Sequence, residues 1–424
     1  MIFIYRFLTF FLYPVFIVLI YLRKLLNKED HYRYKEKIFP SYFFPDKDKK
    51  KKLIWLHAAS IGEVQSIFPL IQKLNSEKEN VEFLITTITL SAGNIVAKKL
   101  NEYKNVKHRY FPLDVNFLIK NFLSKWKPDL IIFVDSEIWP NLIFEIKKRE
   151  IPVTLINGRI TKKTFNKWML VSKFAKEIFS NFDLCLAASK DSEENLKKLN
   201  VKNLKYIGNI KFSGKIIRDD LIDENFEILK QKKYWCAAST HKGEEIVCLK
   251  THLNLKKIYK NLITIIIPRH INRSNEINRL CNKYKLSSQI LNDKELIEDS
   301  SEIIIINSFG TLSKFYNYSK SVFIGKSMIK KLRKVGGQNP IEAAKLGCKI
   351  YHGPYVYNFK EIYALLKSYG ISEEINNETD LTKKLANDLK ELKDDKNKII
   401  NSINDMGDKI LDNTTKEINK FLIK

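Results

Sequence analysis

The sequence predicts an α/β protein of two doubly wound, Rossmann-like domains facing each other across a cleft, behind an N-terminal membrane-anchor helix. Three observations carry that expectation. Short runs rich in Ile and Val alternate with longer amphipathic stretches along most of the 424 residues. The runs fall into two series, divided near Gly214–Asn225. From Ile2 to Leu22 the only charge is Arg6. A chain of this length exceeds one ordinary core, so two domains are expected.

The N-terminal segment comes first. Its apolar run, Phe7 to Leu22, is slightly shorter than the ~20 residues of a spanning helix, with Arg6 placed to snorkel to an interface. Arg23 and Lys24 follow in place of a small-residue cleavage site, which disfavours a cleaved signal peptide. Those charges and the cluster from Lys47 to Lys52 put the rest of the chain on the cytoplasmic side. Residues 1–26 are thus expected to anchor the protein, spanning the membrane or lying in one leaflet. The plainer alternative is a buried helix of a soluble fold.

Next come the predicted strands. The first series is Leu53–Ala58, Val81–Thr87, Leu130–Asp135, Val153–Asn157 and Leu184–Ala188. The second is Tyr234–Ala238, Leu262–Pro268, Ile303–Asn307, Ser321–Gly325 and Lys349–His352. Each run is short, β-branched and closed by a turn former. Helical patterns lie between them, as with Val64, Ile67, Phe68, Ile71 and Leu74, where Pro69 predicts a kink or a late start. Such alternation implies parallel sheets covered on both faces, with ligands at the carboxyl ends of the strands. The domains are placed at 27–215 and 216–424, the second ending in solvated helices from about Glu373 and a closing helix over 403–423.

Composition narrows the partners. Lys+Arg number 74 against 48 Asp+Glu, a net charge of +26 that gathers anions: nucleic acid, anionic lipid or phosphorylated substrate. No nucleic-acid-binding module or aromatic stacking surface accompanies the charge, so nucleic acid is not expected as a partner. The five cysteines are scattered, without a C-x-x-C pair, and indicate neither a disulfide framework nor a zinc site.

Six segments carry candidate chemistry. Trp55-Leu-His-Ala-Ala-Ser-Ile-Gly-Glu63 is a strand, a turn and a helix start, where the local dipole favours an ionised carboxylate suited to general base work. A helix cap explains Glu63 equally well. Asp135-Ser-Glu-Ile-Trp-Pro-Asn141 sets two carboxylates at a strand end, either as metal ligands or with Glu137 acting directly on reacting groups. A simple strand-end turn, with Trp139 and Pro140 packed inward, is the bland reading. Gly208-Asn-Ile-Lys-Phe212 places Lys211 at the domain junction, suited to charge that develops during reaction. In so lysine-rich a chain an arbitrary Lys is ordinarily solvated surface.

In the second series, Ser239 and Thr240 precede a helix and suggest an anion cradle or a cap. Arg269, ending the apolar strand at Ile267-Pro-Arg-His270, suits bidentate phosphate binding or a surface ion pair. Gly336-Gly-Gln-Asn-Pro-Ile-Glu342 combines two glycines, a helix start near Pro340 and an acidic residue able to accept from a ribose.

Taken in order, these blocks resemble the 3-deoxy-D-manno-octulosonic acid (Kdo) transferase family of Gram-negative bacteria, from about Phe3 to Phe359. The resemblance includes the N-terminal anchor, His-Ala-x-Ser-x-Gly-Glu63 and Thr86-Thr87-x-Thr89. It continues through Glu137-Ile-Trp-Pro-Asn141, Asn157-x-Arg159, Gly208-Asn-x-Lys211, Ala238-Ser-Thr-His241, Pro268-Arg269-His270 and Asn339-Pro-x-Glu342.

The resemblance implies a two-domain GT-B fold. It implies an inverting, metal-independent transfer of Kdo from CMP-Kdo to the tetra-acylated lipid A precursor of lipopolysaccharide, with no cofactor. The setting would be the cytoplasmic face of the inner membrane, beside anionic lipid. By the same resemblance Glu63 is the general base, and Glu137 and Lys211 stabilise the transition state. Pro268, Arg269, Phe309, Gly310, Thr311, Asn339, Pro340, Ile341 and Glu342 line the CMP site.

Three segments depart from the family pattern. Asp-Thr-x-Gly-Glu is here Asn307-Ser-Phe-Gly-Thr311, Gly-Gly-Ser is Gly325-Lys-Ser327, and the His before Asn339 is Gln338. Thr311 is then expected to meet the nucleotide through its hydroxyl or backbone. The competing readings are another envelope GT-B enzyme using a UDP-sugar, and a non-catalytic basic binding protein.

Overall fold

The computed structural model describes residues 1–45, 47–48, 50–214, 224–308, 310–390 and 396–422. Two compact units emerge: Met1–Gly214 with Met406–Lys424, and Lys215–Asp405. Most of the predicted division at Gly214–Asn225 lies outside the described residues.

The first unit holds a parallel sheet of β1 (Lys52–His57), β2 (Val81–Thr87), β3 (Val106–Tyr110), β4 (Leu130–Val134), β5 (Val153–Gly158), β6 (Leu184–Ala187) and β7 (Leu204–Tyr206). Their order across the sheet is β3-β2-β1-β4-β5-β6-β7. The second unit repeats the plan with β8 (Lys233–Thr240), β9 (Leu262–Pro268), β10 (Ser288–Leu291), β11 (Ile303–Ile306), β12 (Ser321–Ile324), β13 (Lys349–His352) and β14 (Ser372–Glu374). Here the order is β10-β11-β9-β8-β12-β13-β14. All ten predicted strands are present to within two residues at either end.

Central strands form because both faces are covered: β2, β4, β5 and β9 are buried at every position. Such strands read as continuous apolar runs. Between them, the helix Ile61–Glu77 buries Val64, Ile67, Phe68, Ile71 and Leu74 as their spacing predicts. It starts at Ile61 and runs through Pro69, so the late start foreseen from that proline does not occur.

The chain end departs from expectation. Met406–Lys424, assigned from sequence to the second domain, groups with the first unit. The helix Lys396–Asn419 passes so close to the Lys211 turn that a Cβ at Gly407 would stand 2.3 Å from the carbonyl oxygen of Phe212. Lys205 pairs with Glu417 at 2.7 Å, and the Asn419 amide donates to Glu77 at 2.7 Å. Charged residues along this helix masked its buried side, which includes Ile403, Ile410 and Ile418.

The expected single anchor helix is two helices, Ile2–Phe11 and Tyr13–Leu25, bent by 53°. Pro14 enters the first turn of the second, where its missing N–H does no harm. Among the described residues no single helix is long and apolar enough to cross a membrane. The inner side of the pair is tied to the first unit. Tyr5 donates to Asp114 at 3.0 Å, Arg6 pairs with buried Glu145 at 2.9 Å, and Tyr13 donates to the Ile38 carbonyl. Asp114 also accepts from the N–H groups of Asn141 and Leu142, capping the helix Pro140–Lys148. Phe3, Phe7, Phe10, Phe11 and Leu12 are exposed on the outside.

Candidate active site

In the first unit the chain reverses its direction of travel across the sheet between β1 and β4, which opens a crevice at their carboxyl ends. Four ionisable side chains meet around that point. Glu63 comes from the first turn after β1, Asp135 and Glu137 follow β4, and Lys211 rides on the turn Ile210–Phe212.

Glu63 is 8% exposed. Its Oε2 accepts from the Ala59 N–H at 2.8 Å and its Oε1 from the Ser60 hydroxyl at 2.6 Å. These are capping contacts, so the structural role foreseen for Glu63 is real. The sequence argument held that the helix dipole keeps this group ionised. Burial dominates instead and raises its pKa, the charges of Asp135 and Glu137 push the same way, and the two hydrogen bonds only partly oppose them. A raised carboxyl is a stronger base nearer neutral pH, the tuning expected of a general base.

Asp135 and Glu137 each have a partner of their own. Lys211 Nζ lies 2.5 Å from Asp135 Oδ2. Asp135 sits at φ +66°, a left-handed conformation that Asp tolerates better than most residues, and this turns its backbone out of β4. Its N–H donates to the Ile156 carbonyl, and its own carbonyl accepts from the Arg159 N–H, both at 3.0 Å. Asn157 Oδ1 accepts from the Ile210 N–H at 3.2 Å and Asn209 Oδ1 from the Lys211 N–H at 3.0 Å. The Asn157-x-Arg159 and Gly208-Asn-x-Lys211 blocks therefore build one object, the seat of the Lys211 ammonium.

Glu137 Oε2 receives Trp139 Nε1–H at 2.9 Å and faces His57 Nε2 at 3.3 Å. Sequence reasoning quoted Asp135 and His57 without giving either a settled role. The signal for His57 is a histidine ending an otherwise apolar central strand, where a buried polar ring demands partners. Asp135 carries a fainter one, a carboxylate directly after a wholly buried strand.

In the second unit all strands run parallel, so their carboxyl ends share one edge. Pro268 ends β9, and exposed Arg269 follows, its N–H donating to the Thr240 carbonyl at 3.1 Å. Gly310 has φ +80°, and the Thr311 and Ser308 hydroxyls are 3.1 Å apart. Asn339 Oδ1 accepts from the Ile341 N–H at 3.1 Å, after which the short helix Ile341–Lys345 begins behind Pro340. Ser313 donates to Glu342 Oε1 at 2.5 Å, which joins the segment after β11 to the one after β12 and occupies one of the two oxygens foreseen for a ribose. Phe309 lies outside the described residues. A cavity of about 360 Å³ opens beside Thr311, lined also by Asn225, Asn292, Ser308 and Lys314, and among the described residues reaches none of the other predicted nucleotide positions.

The anion cradle foreseen at Ser239–Thr240 is filled by the protein itself. Buried Glu244 accepts from the N–H groups of His241, Lys326, Ser327 and Met328 at 2.7–2.9 Å. A Cβ on Gly325 would stand 2.7 Å from Glu244 Oε2, so only glycine fits there. Lys326 follows at φ +58°, a conformation that glycine adopts without cost.

The first unit matches the family model described as 3-Deoxy-D-manno-octulosonic-acid transferase (kdotransferase) over residues 33–214. A 3-deoxy-D-manno-octulosonic acid transferase of Rickettsia bellii is 34% identical over 354 residues, covering 83% of this chain and 82% of the relative. The transferase of Haemophilus influenzae is 30% identical, covering 82% of each. That of Rickettsia typhi is 29% identical over the full length of both. Among solved structures, a glycosyltransferase of Rickettsia africae has a TM-score of 0.58 at 13% identity, covering 88% of this chain and 99% of that one. A putative UDP-N-acetylglucosamine 2-epimerase of Listeria monocytogenes has a TM-score of 0.59 at 13% identity, covering 87% and 97%. These likenesses show a shared GT-B fold. Sequence relatedness over four-fifths of the chain goes further: the protein belongs to the Kdo transferase family and is a glycosyltransferase.

Proposed function

We propose that this enzyme transfers Kdo from CMP-Kdo to the tetra-acylated lipid A precursor, with inversion and without a metal, at the cytoplasmic face of the inner membrane. The observation that carries the reading is the raised, buried carboxyl of Glu63 beside a lysine held by Asp135 and a carboxylate held by His57 and Trp139.

Glu63 takes the proton from an acceptor sugar hydroxyl as that oxygen bonds to the anomeric carbon of Kdo. The bond from that carbon to the CMP phosphate oxygen breaks, and its electron pair leaves with CMP. Attack on the face opposite the leaving group inverts the anomeric centre. The Lys211 ammonium balances negative charge on the donor, and Glu137 balances positive charge building on the sugar ring. Arg269 and the segments 310–311 and 339–342 hold CMP at the edge of the second sheet.

The exposed Phe and Leu face of the N-terminal helix pair, with a net charge of +26, supports a seat on an anionic bilayer where the acceptor's acyl chains stay in the leaflet. The bonds of Tyr5 and Arg6 to the first unit support a pair that lies in the interface rather than one that spans the bilayer.

The test is CMP release by membrane-bound protein, with and without the tetra-acylated precursor, using CMP-Kdo and UDP-sugars in turn. Release from CMP-Kdo that depends on the lipid is expected. Release from a UDP-sugar alone would replace the donor, and lipid-independent release would remove the acceptor.

A further inference from the structure

One buried titratable group at the site takes no chemical step in the mechanism above, although it contacts Glu137. His57 is fully buried at the end of β1. Phe111 stacks on its ring at 4.0 Å, while Phe133 and Trp139 meet it edge-on at 6.0 and 6.4 Å. The ring cannot turn without repacking all three.

Its hydrogen bonds fix where its proton sits. Trp55 Nε1–H, a donor only, gives to Thr86 Oγ1 at 2.8 Å. The Thr86 hydroxyl proton then needs an acceptor, and His57 Nδ1 is 2.9 Å away. The alternative, Nδ1–H donating to the Thr86 carbonyl at 3.2 Å, is the longer contact and shares an oxygen that also accepts from the Ala58 N–H at 3.0 Å. It would also strand a buried hydroxyl proton and aim a bare Nε2 lone pair at the Glu137 carboxylate. Unmade bonds of that kind cost more than made ones contribute. The ring proton therefore lies on Nε2 and donates to Glu137 Oε2 at 3.3 Å. Trp139 donates to that same oxygen at 2.9 Å, leaving Oε1 for the reacting groups.

We propose that His57 is the positioning residue of Glu137: Trp55 and Thr86 lock its Nε2–H tautomer, and that N–H aims the carboxylate. The inference rests on the catalytic reading of Glu137 given above. It makes Thr86 a determinant of rate although its hydroxyl touches neither Glu137 nor substrate.

The experiment is a double-mutant cycle on lipid-dependent CMP release, read beside ¹⁵N NMR of the histidine tautomer in the wild-type protein, which needs no variant to fold. His57→Leu is expected to lower kcat about 10-fold or more while leaving KM for CMP-Kdo within about 2-fold. His57→Gln, whose amide keeps an N–H at the Nε2 position, should retain most activity. In a Glu137→Ala background His57→Leu should cost nothing further, since non-additivity marks residues that act as a unit. Additive losses, or an Nδ1–H resonance for His57, would overturn the inference and leave the role of Glu137 standing. Full activity in Glu137→Ala alone would overturn both.

Discussion

At the scale of single residues, the site is a balance of charges around one buried carboxyl. Glu63 is raised by burial and by two neighbouring carboxylates, one of which also seats Lys211. As the proposed base, Glu63 works only when ionised, so activity is expected to fall as pH drops through its pKa. The acid limb of kcat/KM is expected above the ordinary carboxylate range near ~4.3. Asp135→Asn keeps a side chain that accepts the left-handed backbone but removes one of the charges that raise Glu63. That limb should then move to lower pH, while kcat falls about 10-fold or more as Lys211 loses its anchor. A pH–rate profile of wild type and variant checks both, and an unmoved or rising limb would show that Glu63 is not the group being titrated. Glu63 was legible in the sequence because its block is compact. Its environment was not, because Asp135 lies 72 positions further on and only the neighbouring ends of β1 and β4 bring the two together.

Among the elements, the strands that sequence reasoning missed are β3, β7, β10 and β14, the outer strands of both sheets. A central strand is apolar throughout because helices cover both its faces. An edge strand must blunt its open hydrogen-bonding side with short length and polar residues. Ser372-Glu-Glu374 and Leu204-Lys-Tyr206 show that demand in three residues each, and Val106-Lys-His-Arg-Tyr110 alternates buried with half-buried positions. The N-terminal segment was legible as an apolar element, but its break was not, since Pro14 reads equally as a kink or as a helix start. The bent pair has a testable role. Replacing Phe3 and Phe7, both exposed and neither taking part in the bonds of Tyr5 and Arg6, with Ser should lower binding to anionic vesicles about 10-fold or more. Flotation measures it, with urea unfolding as the control for an intact fold. Unchanged flotation would detach this face from the membrane.

For the whole molecule, two sheets of seven strands divide the proposed reaction: the first carries the residues proposed for proton transfer and charge balance, the second those proposed for the nucleotide. Sequence alternation was enough to read two doubly wound domains. It was not enough to place the end of the chain, because the helix Lys396–Asn419 is amphipathic in a lysine-rich composition and its partner, the Lys211 turn, lies some two hundred residues earlier. The net charge of +26 suits the proposed phosphorylated acceptor and the proposed anionic donor equally, so it does not distinguish the chemistry. The most direct test of the central claim is mass spectrometry of the lipid after incubation with CMP-Kdo, for the wild type and for Glu63→Ala. The account predicts a precursor carrying added Kdo from the wild type and product formed about 10²- to 10⁴-fold more slowly by the variant. Equal product from both proteins would contradict it, and would return Glu63 to being the cap of a helix.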